Sequence, residues 1–265
     1  MTHPVAFFEW LPLPVGAVVV VGGFVLLSVL LAKISRRFAP PELLTEHNEL
    51  TGFIFAVVGV IYAVVLGFIA IGVWERFSGA QEVTYREASN LATIYRDAAS
   101  LPGAGPLRND LRVYVRDVIV RGWPAMQSGH PSDDTEVEAE RVSRDVTTFD
   151  PRGARETNLH QQMIAAMAES LSARDERLTE DATGLNGLMW ITVVLGGFIT
   201  VGFTYLFGFK QSFMQTAMVG TLAFLIGLVI FLTMSLDYPF RGTVHVTPDA
   251  FERALTTFDT IDARR

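Results

Sequence analysis

The sequence predicts an all-α membrane protein with four transmembrane helices and a long helical insertion between the second and the third. Three observations predict this fold. Four runs of 19 residues or more contain no charged side chain, half of the 265 residues are hydrophobic, and the segment between the second and third runs has helical periodicity. Because a helix rises about 1.5 Å per residue, each run can cross the roughly 30 Å hydrocarbon core of a bilayer.

A first transmembrane hairpin is expected over residues 1–74, with spans at about 14–32 and 50–74. The first span ends at Lys33, and two prolines at 40 and 41 then break the backbone. The second span reads LTGFIFAVVGVIYAVVLGFIAIGVW, and Glu75-Arg76 close it. Its recurrent glycines favour close packing against other helices, because lipid tails supply no hydrophobic force between membrane helices.

Residues 75–186 are expected to form a soluble helical insertion. They hold 19 acidic residues and 13 arginines without a lysine, which gives a net charge of −6. Two apolar stripes have helical spacing, formed by Leu91, Ile94, Tyr95 and Ala98 and by Leu107, Leu111, Tyr114 and Val118. Long helices are therefore expected to continue the second and third spans. Helices are also predicted at about 157–181 and 135–148, and loops at 101–106 and 123–134.

A second transmembrane hairpin is expected over residues 187–237, with spans at about 187–209 and 212–236. A soluble tail follows at 238–265. Asp237, Pro239 and Phe240 are expected to dock this tail on the insertion, because Phe240 is apolar directly outside the membrane and Pro239 turns the chain.

The chain shows no enzyme signature, and we expect neither a cofactor nor a metal site. It has no cysteine, its five histidines lack ligand spacing, and no phosphate-binding glycine loop or Gly-x-Ser-x-Gly motif occurs. The net charge of −7 argues against nucleic acid as a partner. No span carries a charged residue in its interior, which argues against a proton relay.

Several motifs resemble those of bestrophins. Val65-Leu66-Gly67-Phe68, followed eight residues later by Arg76-Phe77, is similar to their second span, and the segment 236–242 with Asp249 is similar to the one after their fourth. The whole chain resembles a bacterial bestrophin-like family. That likeness is carried by Asn48-x-x-x-Gly52-Phe, Tyr62-Ala63, Trp74-Glu75, Trp123-Pro124, Ala173-Arg174-x-x-Arg177 and Asp237-x-Pro-Phe-x-Gly242.

This resemblance implies a pentameric ion channel whose second span lines a central pore. If the register carries over, Val60, Val64 and Phe68 form a hydrophobic neck. Their spacing of four residues keeps them on one helix stripe, with a drift of about 40° per step. Asn48 and Glu49 are expected at one pore mouth and Arg76 at the other. The acidic run that binds calcium in animal bestrophins is here residues 243–250, without that acidity, so calcium gating is not expected.

The expected partners are membrane lipids, further copies of the chain and a permeant small ion. Lys33, Arg36, Arg37 and Lys210 favour cytoplasmic hairpin loops. The resemblance implies the opposite arrangement, in a bacterial inner membrane with the insertion and both termini in the cytoplasm, and we adopt it. A non-conducting scaffold or sensor whose insertion binds partner proteins is the alternative. A proton channel similar to a flagellar stator would require a polar site at depth.

Overall fold

The computed structural model describes residues 12–38, 44–45, 47–129, 134–208 and 211–264, and these are helical with short connections and without a strand. The elements are α1 (Leu13–Phe38), α2 (Asn48–Ala99), α3 (Gly105–Asp117), a π-helical turn (Val118–Gly122), α4 (Trp123–Gln127), α5 (Asp134–Thr148), α6 (Ala154–Ala182), α7 (Gly187–Phe203) with a 3₁₀ turn (Thr204–Leu206), α8 (Ser212–Leu236) and α9 (Asp249–Ala263). The predicted all-α class is confirmed.

Four helical segments are long and apolar enough to cross a membrane. They are Leu13–Phe38, the apolar part of Asn48–Ala99, Gly187–Leu206 and Ser212–Leu236. The predicted membrane fold with four spans is therefore confirmed. The chain divides into two compact units. The membrane unit comprises residues 1–75, 185–237 and 242–244, and the helical unit comprises residues 76–184, 238–241 and 245–265.

Helix α2 is 52 residues long, so it extends for about 78 Å. It continues far beyond the second apolar run because no proline occurs between positions 41 and 102. Pro102 ends it, since proline cannot donate the next helical hydrogen bond and restricts the residue before it. Gly103 then turns the chain with a positive φ of 79°, a conformation that favours glycine.

In the membrane unit, a stripe on α1 packs against α8 and α7. Gly227 of α8 leaves room for the backbone of Val21, and the ring of Phe24 lies 4.7 Å from that of Phe198 on α7. In the last turn of α1, the Arg36 guanidinium donates to Oε1 of Gln215 on α8 at 2.8 Å. These contacts bury one side of α1 and leave its opposite side exposed.

The core of the helical unit contains both apolar stripes predicted from the sequence. Leu91, Ile94 and Leu111 are fully buried, and Tyr95 stacks on Phe258 of α9 with 3.9 Å between ring centroids. The stripes therefore meet helix α9, which lies within the segment for which only a soluble tail was predicted.

Two predictions for the insertion were wrong. Helix α6 does not continue into the third span, because residues 183–186 are non-helical. Thr183 is extended, and Asn186 begins α7 by accepting a hydrogen bond from the Leu188 amide at 3.0 Å, which is the usual role of asparagine at a helix start. Residues 123–127 are not a loop but helix α4, where Pro124 is tolerated in the first turn.

Candidate functional site

One face of the second span is apolar and exposed along its whole membrane length. Val60, Val64 and Phe68 are 63%, 52% and 72% exposed in the single chain. Further exposed residues of the same face, which covers an arc of about 80°, are Phe53, Val57 and Ile71. Such a surface has to meet either lipid or another apolar protein surface.

The opposite face of the second span is fastened to the third span. Tyr62 and Leu66 are buried, and the Tyr62 hydroxyl donates to the Val193 carbonyl of α7 at 2.8 Å. Gly196 makes this close approach possible, since a Cβ atom there would lie 2.6 Å from the Tyr62 ring. The contact fixes which face of α2 is left exposed.

We expect Gly196→Ala to lower the free energy of unfolding by about 1–3 kcal/mol, because the added methyl group forces the anchored Tyr62 ring to move. The thermal unfolding midpoint of the detergent-solubilised protein measures this effect. Gly202→Ala on the same helix is the matched control, since no atom lies within 4 Å of its added Cβ. Equal midpoints for the two variants would contradict the packing role of Gly196.

The three residues expected at the pore mouths have different surroundings. Asn48 holds Gly208 beyond the third span with two hydrogen bonds: its side-chain oxygen accepts from the Gly208 amide at 2.9 Å and its Nδ2 donates to the Gly208 carbonyl at 3.3 Å. Arg76 donates to the Thr183 carbonyl and lies 3.6 Å from a Glu180 oxygen. Glu49 is exposed.

Asp237 joins the two ends of the second hairpin. Its carboxylate is buried and accepts hydrogen bonds from the Leu185 amide at 2.6 Å and from the indole Nε1 of Trp190 at 3.1 Å. These donors belong to the start of the third span, whereas Asp237 directly follows the fourth. The residue therefore closes the α7–α8 hairpin at this end.

We expect Trp190→Phe to destabilise the protein by about 1–3 kcal/mol, because it removes one donor from a buried carboxylate. The thermal midpoint again provides the measurement. Trp74→Phe removes the same atoms from an indole that is 58% exposed, so its midpoint should stay close to that of the wild type. A drop for Trp74→Phe as large as that for Trp190→Phe would contradict the role of the Asp237 contact.

Within the helical unit, Phe240 packs against Trp123 of α4, and Pro239 is hydrogen-bonded to Val246. Phe240 is completely buried, and its ring meets the edge of Trp123 at a centroid distance of 5.7 Å. The Pro239 carbonyl accepts a hydrogen bond from the Val246 amide at 2.7 Å, and the Val246 carbonyl accepts one from Trp123 Nε1 at 3.0 Å. The residues after the fourth span thus enter the hydrophobic core of this unit.

A buried ionic cluster in the helical unit was missed by the sequence reasoning. Arg177 Nε donates to Glu87 Oε2 at 2.7 Å and its Nη2 to Oε1 at 3.2 Å, with side-chain exposures of 3% and 0%. The Tyr114 hydroxyl donates to Glu87 Oε1 at 2.9 Å. Burial, followed by the charge of Glu87, raises the pKa of Tyr114 well above its ordinary value, so that hydroxyl keeps its proton.

A second ion pair, between Arg241 and Asp181, ties the segment after the fourth span to α6. Arg241 Nε lies 3.3 Å from Asp181 Oδ1, and its Nη2 donates to the Asp181 carbonyl at 2.8 Å. Burial raises the pKa of Asp181, and the nearby guanidinium opposes that shift. Among the residues the structure describes, no group of three or more His, Asp or Glu side chains is placed to hold a metal ion.

These features define a helical membrane protein with four spans and an ion-paired helical unit, which is built from residues between the second and third spans and from residues after the fourth. A family model described as the bestrophin-like domain matches residues 22–251. The chain therefore belongs to the bestrophin-like family, and the resemblance inferred from its motifs is confirmed.

Solved structures show the same fold. A variant of a bacterial bestrophin homologue from Klebsiella pneumoniae matches with a TM-score of 0.70 and 13% identity, over 91% of this chain and 98% of that chain. A second structure of a bestrophin homologue from this organism matches with a TM-score of 0.66 and 14% identity, over 91% of this chain and 97% of that chain. A variant described as a membrane protein matches with a TM-score of 0.67 and 13% identity, over 92% of this chain and 98% of that chain. A comparison with curated proteins gave no match.

Proposed function

We propose that the protein is a homo-oligomeric ion channel of five subunits in which the second span of every subunit lines a central pore. The observation that carries this proposal is the two-sided character of α2 in the membrane unit. The face with Tyr62 is hydrogen-bonded to the third span, whereas the apolar face with Val60, Val64 and Phe68 is exposed. Repeated around a closed ring, that face would meet its own copies at the axis.

In this proposal, Val60, Val64 and Phe68 form the neck. Rings of valine and phenylalanine side chains narrow a pore and exclude water from it, so ions are held back without any charged residue. Asn48 and Glu49 lie at one end of the span and Arg76 at the other. Asn48 and Arg76 are engaged in hydrogen bonds within the chain, whereas Glu49 is exposed, so its carboxylate is available to a passing ion. The helical unit and both chain termini lie in the cytoplasm of a bacterial cell.

Membership of the bestrophin-like family supports conduction but does not fix the permeant ion. Bestrophins include anion channels, whereas insertion residues 75–186 have a net charge of −6. Acidic residues lining a vestibule would raise the local cation concentration. The test of function therefore has to follow cations and anions separately.

The experiment combines subunit counting with flux measurements on the purified full-length protein. Native mass spectrometry should give a closed ring of five, and liposomes containing the protein should show potassium or chloride flux that empty liposomes lack. A monomer or a two-fold dimer would contradict the channel. A five-membered ring without flux of either ion would favour the alternative, a scaffold whose helical unit binds partner proteins.

A further inference from the structure

A cleft between α2 and α9 in the helical unit has the composition of an anion-binding site. It has a volume of about 280 Å³, and Arg96 of α2 and Arg253 of α9 line it from the two helices. Hydroxyl groups complete the polar lining, contributed by Tyr85, Ser89, Thr93 and Thr257. The Thr93 and Thr257 hydroxyls donate to the carbonyls of Ser89 and Arg253, so Tyr85 and Ser89 are the hydroxyl donors for a ligand. Four alanines make up the rest of the wall, so no bulky side chain fills the space.

The charge of this cleft is of one sign. Its lining includes two guanidinium groups and no carboxylate. In the described part of the chain, neither Arg96 nor Arg253 forms an ion pair, whereas Arg108 and Arg112 in the same unit pair with Asp259 and Asp262. The charge of Arg96 acts on the adjacent Asp97, which does not line the cleft and whose pKa is raised by burial in spite of that charge.

Arg253 is also held in place without an acidic partner. Its guanidinium lies 5.5 Å from the centre of the Tyr85 ring, a cation–π contact between the two helices. This contact leaves the hydrogen-bond donors of the guanidinium free to bind a ligand. Arginine is suited to that role because its planar fork of N–H groups matches two oxygens of one phosphate group.

We propose that this cleft binds a dianionic phosphate group, held between Arg96 and Arg253 with the hydroxyl groups of Tyr85 and Ser89 as further donors. The group belongs to free phosphate or to a small phosphate monoester. A bound phosphate would bridge α2 to α9, so occupancy would strengthen the attachment of the C-terminal helix to the helix that carries the exposed apolar face. The site is independent of ion conduction.

The test is isothermal titration calorimetry on the full-length protein in detergent, with sodium phosphate and glycerol 3-phosphate as probes at constant ionic strength. The wild type should bind both. Arg96→Gln and Arg253→Gln should each weaken binding at least about tenfold, because each removes a charge-assisted pair of hydrogen bonds. Ser89→Leu, which fills the cleft but keeps both charges, should weaken binding at least as much.

Arg116→Gln is the matched control, since Arg116 is an exposed arginine of α3 that does not line the cleft and forms no ion pair with a described residue. Three results would overturn the proposal: no heat of binding to the wild type, equal affinities in Arg96→Gln and Arg116→Gln, or equal competition by chloride. Arg96→Lys and Arg253→Lys keep the positive charge but lose the paired N–H donors of the guanidinium, and each should bind phosphate with intermediate affinity.

A lipid source of the phosphate group is distinguished in nanodiscs. If a headgroup occupies the cleft, nanodiscs of phosphatidylcholine with phosphatidic acid will lower the apparent affinity for phosphate relative to phosphatidylcholine alone. If the ligand is soluble, the two affinities will agree. Both results support a phosphate site and differ only in its source, and neither depends on whether the protein conducts ions.

Discussion

Replacing Arg177 with methionine is expected to lower the free energy of unfolding by about 3–5 kcal/mol, because it leaves the Glu87 carboxylate buried without its cation. Arg177 supplies two hydrogen bonds to Glu87, and both side chains are almost entirely withdrawn from water. For a unit of this size the thermal midpoint should fall by roughly 6–20 °C. Differential scanning fluorimetry of the purified protein measures the shift.

Glu176→Gln is the matched control. It breaks the ion pair with Arg86, whose members are 36% and 49% exposed, so the expected loss is below about 1 kcal/mol. The double variant Glu87→Leu with Arg177→Met removes both buried charges and should regain part of the stability lost by Arg177→Met alone. If Arg177→Met and Glu176→Gln have the same thermal midpoint, the Glu87–Arg177 pair does not stabilise the helical unit.

The second large effect is expected in ion flux. Replacing Val60, Val64 and Phe68 together with alanine should raise flux through reconstituted liposomes severalfold, because smaller rings widen the proposed neck and allow it to hold water. The three side chains are exposed in the single chain, so their truncation should leave the packing of the protomer largely unchanged. Flux is read from a dye enclosed in the liposomes.

The control for this variant replaces Tyr62, Leu66 and Ile69, which lie on the opposite side of the same helix. Tyr62 and Leu66 are buried, and large-to-small changes in a core cost roughly 2–5 kcal/mol each. This variant should lose stability without a gain in flux. A neck variant that stays oligomeric and conducts no more than the wild type would place the constriction elsewhere.

Composition and periodicity were sufficient to predict the fold. Uncharged runs of sufficient length identify the spans because a bilayer accepts few other segments, and the stripes at 91–98 and 107–118 identify the helices that the structure buries. The continuous helix through Trp74 and Glu75 could also be anticipated, since no proline interrupts it. These predictions all depend on local sequence, where the physical signal is strong.

Long-range polar contacts could not be predicted in the same way. Glu87 and Arg177 lie 90 residues apart in the sequence. Nothing in the local sequence distinguishes them from the neighbouring charged residues that are exposed to solvent. Asp237 was expected to dock the tail, but its carboxylate accepts hydrogen bonds from Leu185 and Trp190 at the start of the third span. A single sequence shows which charges exist but not which of them are buried. The neck residues remain predictions, because their role depends on neighbouring copies of the chain.

The buried carboxylate of Asp237 also has a consequence for biosynthesis. Residues 185 and 190 are synthesised before residue 237, so the Leu185 amide and the Trp190 indole have no Asp237 acceptor during that interval. The hairpin can close at this end only after the fourth span is complete. A chain that ended at residue 236 would carry both later spans yet leave the Leu185 amide and the Trp190 indole without this acceptor, and each buried donor left unsatisfied costs about 1–3 kcal/mol.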